Sequence, residues 1–230
     1  MSKRSFSRLL RQELIEGRSA FDWSFLGLGI AVQIVAFLWQ PERPIAIVSG
    51  IAGIISVILC SQKKISTFFF GFIQISTYLY LCWVERLYGE VGINVFYFVA
   101  QIYGIYVWLK HYKLESNDSA ELEPRKMSIR SFVLLLSVAL LLSAVAGFML
   151  ERFTDDTQPW LDAFTTVPAV FAQIMMVLAY REQWIIWLLV DVLSAIMWVR
   201  AGNYCLLMQY VFWLMNCVYG YTKWSKKNIV

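Results

Sequence analysis

The chain has 230 residues, of which 59% are hydrophobic and only 16% charged, with a formal net charge of +4. That composition excludes an ordinary soluble domain and reads as an integral membrane protein. The aromatic share, 17% with 10 Trp and 12 Tyr, exceeds what anchoring at the membrane–water interface alone would use.

The first element is a basic arm over residues 1–22. It carries Phe6, Leu9, Leu10 and Leu14 on one side and Arg4, Arg8, Arg11 and Arg18 on the other. The pattern predicts a cytoplasmic amphipathic helix on an anionic membrane surface, without the continuous apolar core of a cleavable signal. Eight apolar segments follow, at about 23–39, 44–60, 66–84, 91–109, 131–150, 160–180, 184–199 and 204–222. The shortest, near 17 residues, give about 26 Å of helix, enough for a thin bilayer. Sixteen Lys and Arg fall in the arm, the tail and the loops on their side, against Arg43, Arg86, Arg152 and Arg200 on the other. By the positive-inside rule both termini are cytoplasmic, so the net charge reports topology and gives no reason to expect nucleic acid.

The one long polar connector, 110–130, divides the chain, and a shift of 116 positions superposes its two sides. Tyr88 meets Tyr204, Val95 meets Val211, Phe96 meets Phe212, Tyr103 meets Tyr219, Gly104 meets Gly220 and Trp108 meets Trp224. The fourth segment thus matches the eighth and, by extension, the second to fourth match the sixth to eighth. Repeats four spans apart share their orientation. The resulting fold is an all-α integral membrane protein of about eight transmembrane helices, an extra N-terminal helix plus a 3+1+3 parallel-repeat bundle. Its parts are the arm at 1–22, the additional helix at 23–43, a first three-helix repeat at 44–110, a cytoplasmic loop and linker helix at 111–158, a second three-helix repeat at 159–224 and a tail at 225–230. Transporters of this plan place their site at the repeat interface near the midplane.

Polar residues inside apolar segments then map a candidate site. Trp184, Trp187 and Asp191 lie at i, i+3 and i+7, on one helical face, with Asp191 near the middle of its segment. An ionisable group at that depth costs about 2.5–3.5 kcal/mol on insertion scales, so it faces a partner or a wet cavity. Indole faces attract cations. Asn94, Tyr97 and Gln101 repeat the spacing in the fourth segment, and Gln209, Trp213 and Asn216 form a similar stripe in the eighth. Gln74 and Gln173 complete the candidate substrate-binding set, whereas Gln33 reads as interhelical glue.

The remaining features have structural readings. Cys60, Cys82, Cys205 and Cys217 read as buried free thiols, and with His111 as the single histidine no metal site is expected. Trp23, Trp39, Trp160 and Trp224 sit at segment edges and are expected at headgroup depth. Asp162 suits a helix N-terminus, and Pro168 predicts a kink. Gly71, Gly89, Gly92, Gly104, Gly202 and Gly220 are candidate hinges or packing notches.

Several motifs resemble those of the PnuC family of vitamin transporters. They are Phe70-Gly71-x-Ile73-Gln74, Leu87-Tyr88 leading to Gln101-Ile-Tyr-Gly104-x-Tyr-x-Trp108, Trp160-Leu-Asp162, and Glu182-x-Trp184-x-x-Trp187-x-x-x-Asp191 followed by Gly202-x-Tyr204. Together they span roughly residues 44–224. The resemblance implies a full-length relative of the SWEET sugar transporters. Its activity would be facilitated uptake of nicotinamide riboside, an NAD precursor, across the bacterial cytoplasmic membrane, with trapping by cytoplasmic phosphorylation and no cofactor. A homo-oligomer, a trimer included, is compatible with that plan. Relatives commonly carry Asn at the position of Asp191, which leaves open another aromatic vitamin such as thiamine.

The residues suit the riboside independently. An indole can stack on its pyridinium, and the amides of Gln101 and Asn94 both donate and accept, as a carboxamide or vicinal hydroxyls require. No Lys or Arg lies inside a segment to clamp a phosphate. Membrane-enzyme motifs are absent from the sequence. A binding subunit needing an external ATPase and an ion-coupled carrier remain as alternatives, the latter lacking a second mid-segment acid for a relay.

Overall fold

The computed structural model describes residues 13, 15, 18–39, 43–84, 88–114, 120–155, 157–200, 202 and 204–226. Most of the predicted amphipathic arm lies outside the described residues. Eight long helices follow in order: α1 (Ala20–Trp39), α2 (Pro44–Ser61), α3 (Thr67–Val84), α4 (Tyr88–His111), α5 (Ile129–Phe153), α6 (Pro159–Val177), α7 (Gln183–Arg200) and α8 (Tyr204–Ser225). Seven of them are long and apolar enough to cross a membrane. The eighth, α8, has 22 residues, but Gln209, Asn216 and four tyrosines leave it less apolar than the rest.

The connector holds more order than its polar composition suggested. Strands β1 (Tyr112–Leu114) and β2 (Ala120–Leu122) pair antiparallel, Tyr112 opposite Leu122 and Leu114 opposite Ala120. Three residues per strand are too few to show a period of two in sequence.

The chain divides into two compact units, Met1–Glu123 and Pro124–Val230. In the first, α1 packs on α2, α2 on α3 and α3 on α4; in the second, α5 packs on α6, α6 on α7 and α7 on α8. The first is filled by Ile54, Ile58, Leu59, Phe68, Ile75 and Trp108, all buried. In the second, Phe132, Ala169, Ala172, Met175, Ile186 and Val190 form one apolar cluster.

The 116-residue shift extends well beyond the fourth and eighth segments. Helix α3 starts at Thr67 and ends at Val84; α7 starts at Gln183 and ends at Arg200, the same two positions shifted by 116. The turns before them match atom for atom. Lys63 and Ala179, also 116 apart, both adopt left-handed backbone, with φ of 61° and 59°. Lys63 N–H donates to the Cys60 carbonyl at 3.0 Å and Lys64 N–H to Leu59 at 2.9 Å. Ala179 N–H donates to Met176 and Tyr180 N–H to Met175, both at 2.9 Å. Both are Schellman turns, which return the last helical carbonyls to donors that hydrocarbon could not supply. Ring packing repeats as well. Phe68 meets Trp108 edge-on with centroids 4.9 Å apart, and their counterparts Trp184 and Trp224 meet edge-on at 5.9 Å.

Trp224 is therefore a core residue, only 3% exposed, and not the interfacial anchor expected from its place at a segment edge. Being last in its apolar stretch did not place it at the surface, because Trp184 covers its ring. Trp23, Trp39 and Trp160 are exposed.

A carboxylate ties each inter-helix turn to the segment preceding the unit's first helix. Ser66 N–H donates to Glu13 at 3.2 Å in one unit. In the other, Met127 N–H donates to Glu182, the counterpart of Ser66, at 3.1 Å. Arg125 adds a parallel bridge to the turn at Tyr180, donating to the Ala179 carbonyl at 2.7 Å. Pro168 lies inside α6, where Thr165 donates to the Leu161 carbonyl at 3.0 Å.

An L-residue in left-handed backbone costs about 1–2 kcal/mol that glycine does not. Ala179→Gly should accordingly raise the melting temperature of the detergent-solubilised protein by a few degrees, measured by scanning fluorimetry.

Candidate substrate site

The first unit contributes Gln74 from α3 and Asn94, Tyr97 and Gln101 from one face of α4. Asn94 and Gln101 are buried, while Gln74 and Tyr97 are half-buried. Gln74 lies over Gly53 of α2, where an added Cβ would meet its Cγ at 3.2 Å. Gln101 reaches across to α3. Its amide fills the space a side chain at Gly71 would need, with Cδ 3.1 Å from that Cβ position, and Ser56 Oγ of α2 borders the same space at 3.3 Å. The Gln101 carbonyl oxygen is buried with no hydrogen-bond partner.

The second unit contributes the two indoles and the acid, and separates their roles. Trp184 is 3% exposed, set edge-on against Trp224 and seated on Gly220, where an added Cβ would fall 2.6 Å from its Cζ2. Its ring is committed to packing. Trp187 is half-buried and rests on the apolar cluster of α5, α6 and α7, so it is the indole with surface to offer. Asp191 is buried on α7 and accepts a hydrogen bond from the Cys217 thiol of α8 at 3.2 Å. No Lys or Arg among the described residues lies within 4 Å of that carboxylate.

The other candidates are spread along α6 and α8. Gln173 is buried in α6, Asn216 fully buried in α8 and Gln209 half-buried. Trp213 meets Tyr210 edge-on at 4.9 Å, and its indole N–H is buried without an acceptor. Among the described residues no three His, Cys, Asp or Glu side chains cluster as metal ligands.

Three residues with a bearing on the site escaped the sequence reading. Gln183, at the start of α7 and outside the predicted segment, is fully buried with both amide atoms unpartnered. Cys217 looked like inert packing, and only the fold sets it against Asp191. Gly71 was noticed as a packing notch, but nothing in its motif says which side chain fills it.

The shift gives these positions a common frame. Gly71 corresponds to Trp187, Gln101 to Cys217 and Ile75 to Asp191. The same register thus carries an amide in the first unit and an acid, an indole and a thiol in the second.

Comparison with known proteins agrees with this architecture. A family model described as nicotinamide mononucleotide transporter matches residues 43–226. The chain belongs to the PnuC family. A PnuC nicotinamide riboside transporter from Neisseria mucosa is 33% identical over 94% of this chain and 85% of its own length. Its namesake from Haemophilus influenzae is 32% identical over 94% of this chain and 95% of its own. The crystal structure of the vitamin B3 transporter PnuC, 31% identical, superposes with a TM-score of 0.79 over 95% of this chain and 96% of that one. The helical, multi-pass transporter plan read from the sequence is thereby established, and an enzyme is excluded by what PnuC proteins are.

Truncating a packed aromatic costs about 3–5 kcal/mol. Trp184→Ala should therefore lower the melting temperature sharply, whereas Trp187→Phe should leave it nearly unchanged. Cys217→Val, which strands the buried Asp191 carboxylate, should destabilise by about 1–3 kcal/mol relative to Cys217→Ser, which keeps a donor. Thermal unfolding of the four variants checks both.

Proposed function

We propose that the protein imports nicotinamide riboside across the bacterial cytoplasmic membrane, supplying a precursor for NAD. The reading rests on membership of the PnuC family and on relatives named as nicotinamide riboside transporters that align along nearly the whole chain.

The choice between riboside and nucleotide is carried by the charge inside the helices. Asp191 is the one Asp, Glu, Lys or Arg more than four residues from an end of α1 to α8. A buried carboxylate without a neighbouring cation suits a pyridinium, and the lack of any Lys or Arg at that depth gives a phosphate nothing to bind. Trp187 offers an aromatic face to the same cationic ring, an interaction worth about 2 kcal/mol when desolvated. Asn94, Gln101 and Asn216 provide amides for the carboxamide and the ribose hydroxyls, with Gln74, Tyr97, Gln173, Gln209 and Trp213 completing the substrate-binding set, while Trp184, packed against Trp224, is left out of it.

Transport in this reading is facilitated diffusion by alternating access of the two three-helix repeats. Cytoplasmic phosphorylation then traps the riboside, because the nucleotide product finds no anion site on its way back. Both termini face the cytoplasm, where sixteen of the twenty Lys and Arg residues lie by the span count.

The test is uptake of labelled nicotinamide riboside into liposomes holding the purified chain alone, with thiamine and riboflavin as competitors. Uptake should proceed without an ATPase and persist when proton and sodium gradients are collapsed. Asp191→Asn should weaken riboside binding about tenfold, roughly 1.4 kcal/mol by calorimetry. Preferential uptake of thiamine would reassign the substrate, and dependence on an added ATPase would replace the facilitator by a binding subunit.

A further inference from the structure

Every polar atom in a membrane-buried site either has a protein partner or awaits one from outside. The Gln101 carbonyl oxygen belongs to the second group: the residue is 5% exposed and that oxygen has no hydrogen-bond partner. A glutamine side chain has three rotatable bonds, so a lone acceptor at its tip is useful only if something holds it. The neighbouring helix does this through an absence. Gly71 of α3 leaves open the volume into which the Gln101 amide fits, and Ser56 of α2 lines the same space. Ser56 is itself fixed, donating to the Thr67 carbonyl at 2.9 Å and accepting on its own carbonyl from the Thr67 hydroxyl at 2.8 Å.

The internal repeat shows that this absence is not required by the backbone. The position equivalent to Gly71 is Trp187, and the position equivalent to Gln101 is Cys217. One unit pairs no side chain on its third helix with a long amide on its fourth; the other pairs the largest side chain with a short thiol. The same turn geometry precedes both third helices. A third helix preceded by this turn can therefore carry a side chain at this register, and at Gly71 the place is taken instead by the Gln101 amide, bordered by Ser56 Oγ.

We infer that Gly71 is a specificity-determining positioning residue, holding the Gln101 carbonyl oxygen as the acceptor for one N–H or O–H donor of the transported vitamin. The inference rests on the proposed substrate for the identity of that donor and on the packing for everything else. A methyl group at position 71 displaces the amide, and the vitamin loses that hydrogen bond.

A double-mutant cycle isolates this. Riboside affinity is measured by calorimetry for the wild type, Gly71→Ala, Gln101→Ala and the double variant, with the ligand-free melting temperature of each recorded. Each single variant should bind about tenfold more weakly. The double variant should bind no more than twofold more weakly than Gln101→Ala, because once the amide is gone the added methyl meets only Ser56 Oγ at 3.3 Å and displaces no ligand-facing group. Losses that multiply to about a hundredfold, or wild-type affinity in either single variant, would overturn the inference.

N-methylnicotinamide, which keeps the cationic ring and carboxamide but lacks the ribose, identifies the donor. A Gly71→Ala loss that persists with it assigns the carboxamide, and one that vanishes assigns a ribose hydroxyl. Ligand-free unfolding separates the two readings: Gly71→Ala should lower the melting temperature and adding Gln101→Ala should restore it, whichever vitamin binds. If the wild type ignores the riboside but binds thiamine or riboflavin, the substrate assignment fails while the cycle is read on that vitamin. If the second substitution restores no stability, the positioning role fails whatever the substrate.

Discussion

Hydrocarbon offers no hydrogen bonds, and most features of this molecule answer that constraint. Backbone groups are satisfied within α1 to α8, and where α2 and α6 end, Schellman turns recover the exposed carbonyls. Hydroxyls inside helices turn back on their own carbonyls: Thr77 on Ile73, Ser143 on Ala139, Thr165 on Leu161. Against that background the unsatisfied groups stand out as a short set, among them the Gln101 carbonyl oxygen, both amide atoms of Gln183 and the indole N–H of Trp213.

Repetition of the backbone with divergence of the side chains shapes what those atoms can recognise. The limits of α3 and α7, the turn torsions before them and the edge-on ring pairs recur at a constant shift, so this part of the two units repeats in backbone. At the level of chemistry they have separated. At the positions related by the shift the first unit carries Gly71, Ile75 and Gln101, and the second carries Trp187, Asp191 and the Cys217 thiol that donates to the acid.

The sequence disclosed the spans well because each is an uninterrupted apolar run between Gly, Pro or charged breaks. It disclosed the repeat only where aromatic identities survive, between the fourth and eighth segments. The matching turns at Lys63 and Ala179 were invisible, because a shared torsion leaves no trace when the residues are a lysine and an alanine. Packing direction was equally hidden. Trp184 and Trp187 are equivalent in any helical-wheel argument, yet one is locked against Trp224 and the other is half open. Trp224 looked like an interfacial anchor for want of any sign that a neighbouring indole covers it. The acid was legible from depth alone, its thiol partner was not, since Asp191 and Cys217 lie on different helices.

The exchange of size between Gly71 with Gln101 and Trp187 with Cys217 bears on ancestry. A duplicated gene starts with interchangeable halves, and a protein at that stage can work as a symmetric pair of half-length chains. Once one half carries its bulk on the third helix and the other on the fourth, that freedom is gone. Two copies of the first half would have no acid at the Asp191 position, and two copies of the second no amide at the Gln101 position. The two halves are thus no longer interchangeable at these positions, and the glycine at position 71 is one of the marks of that divergence.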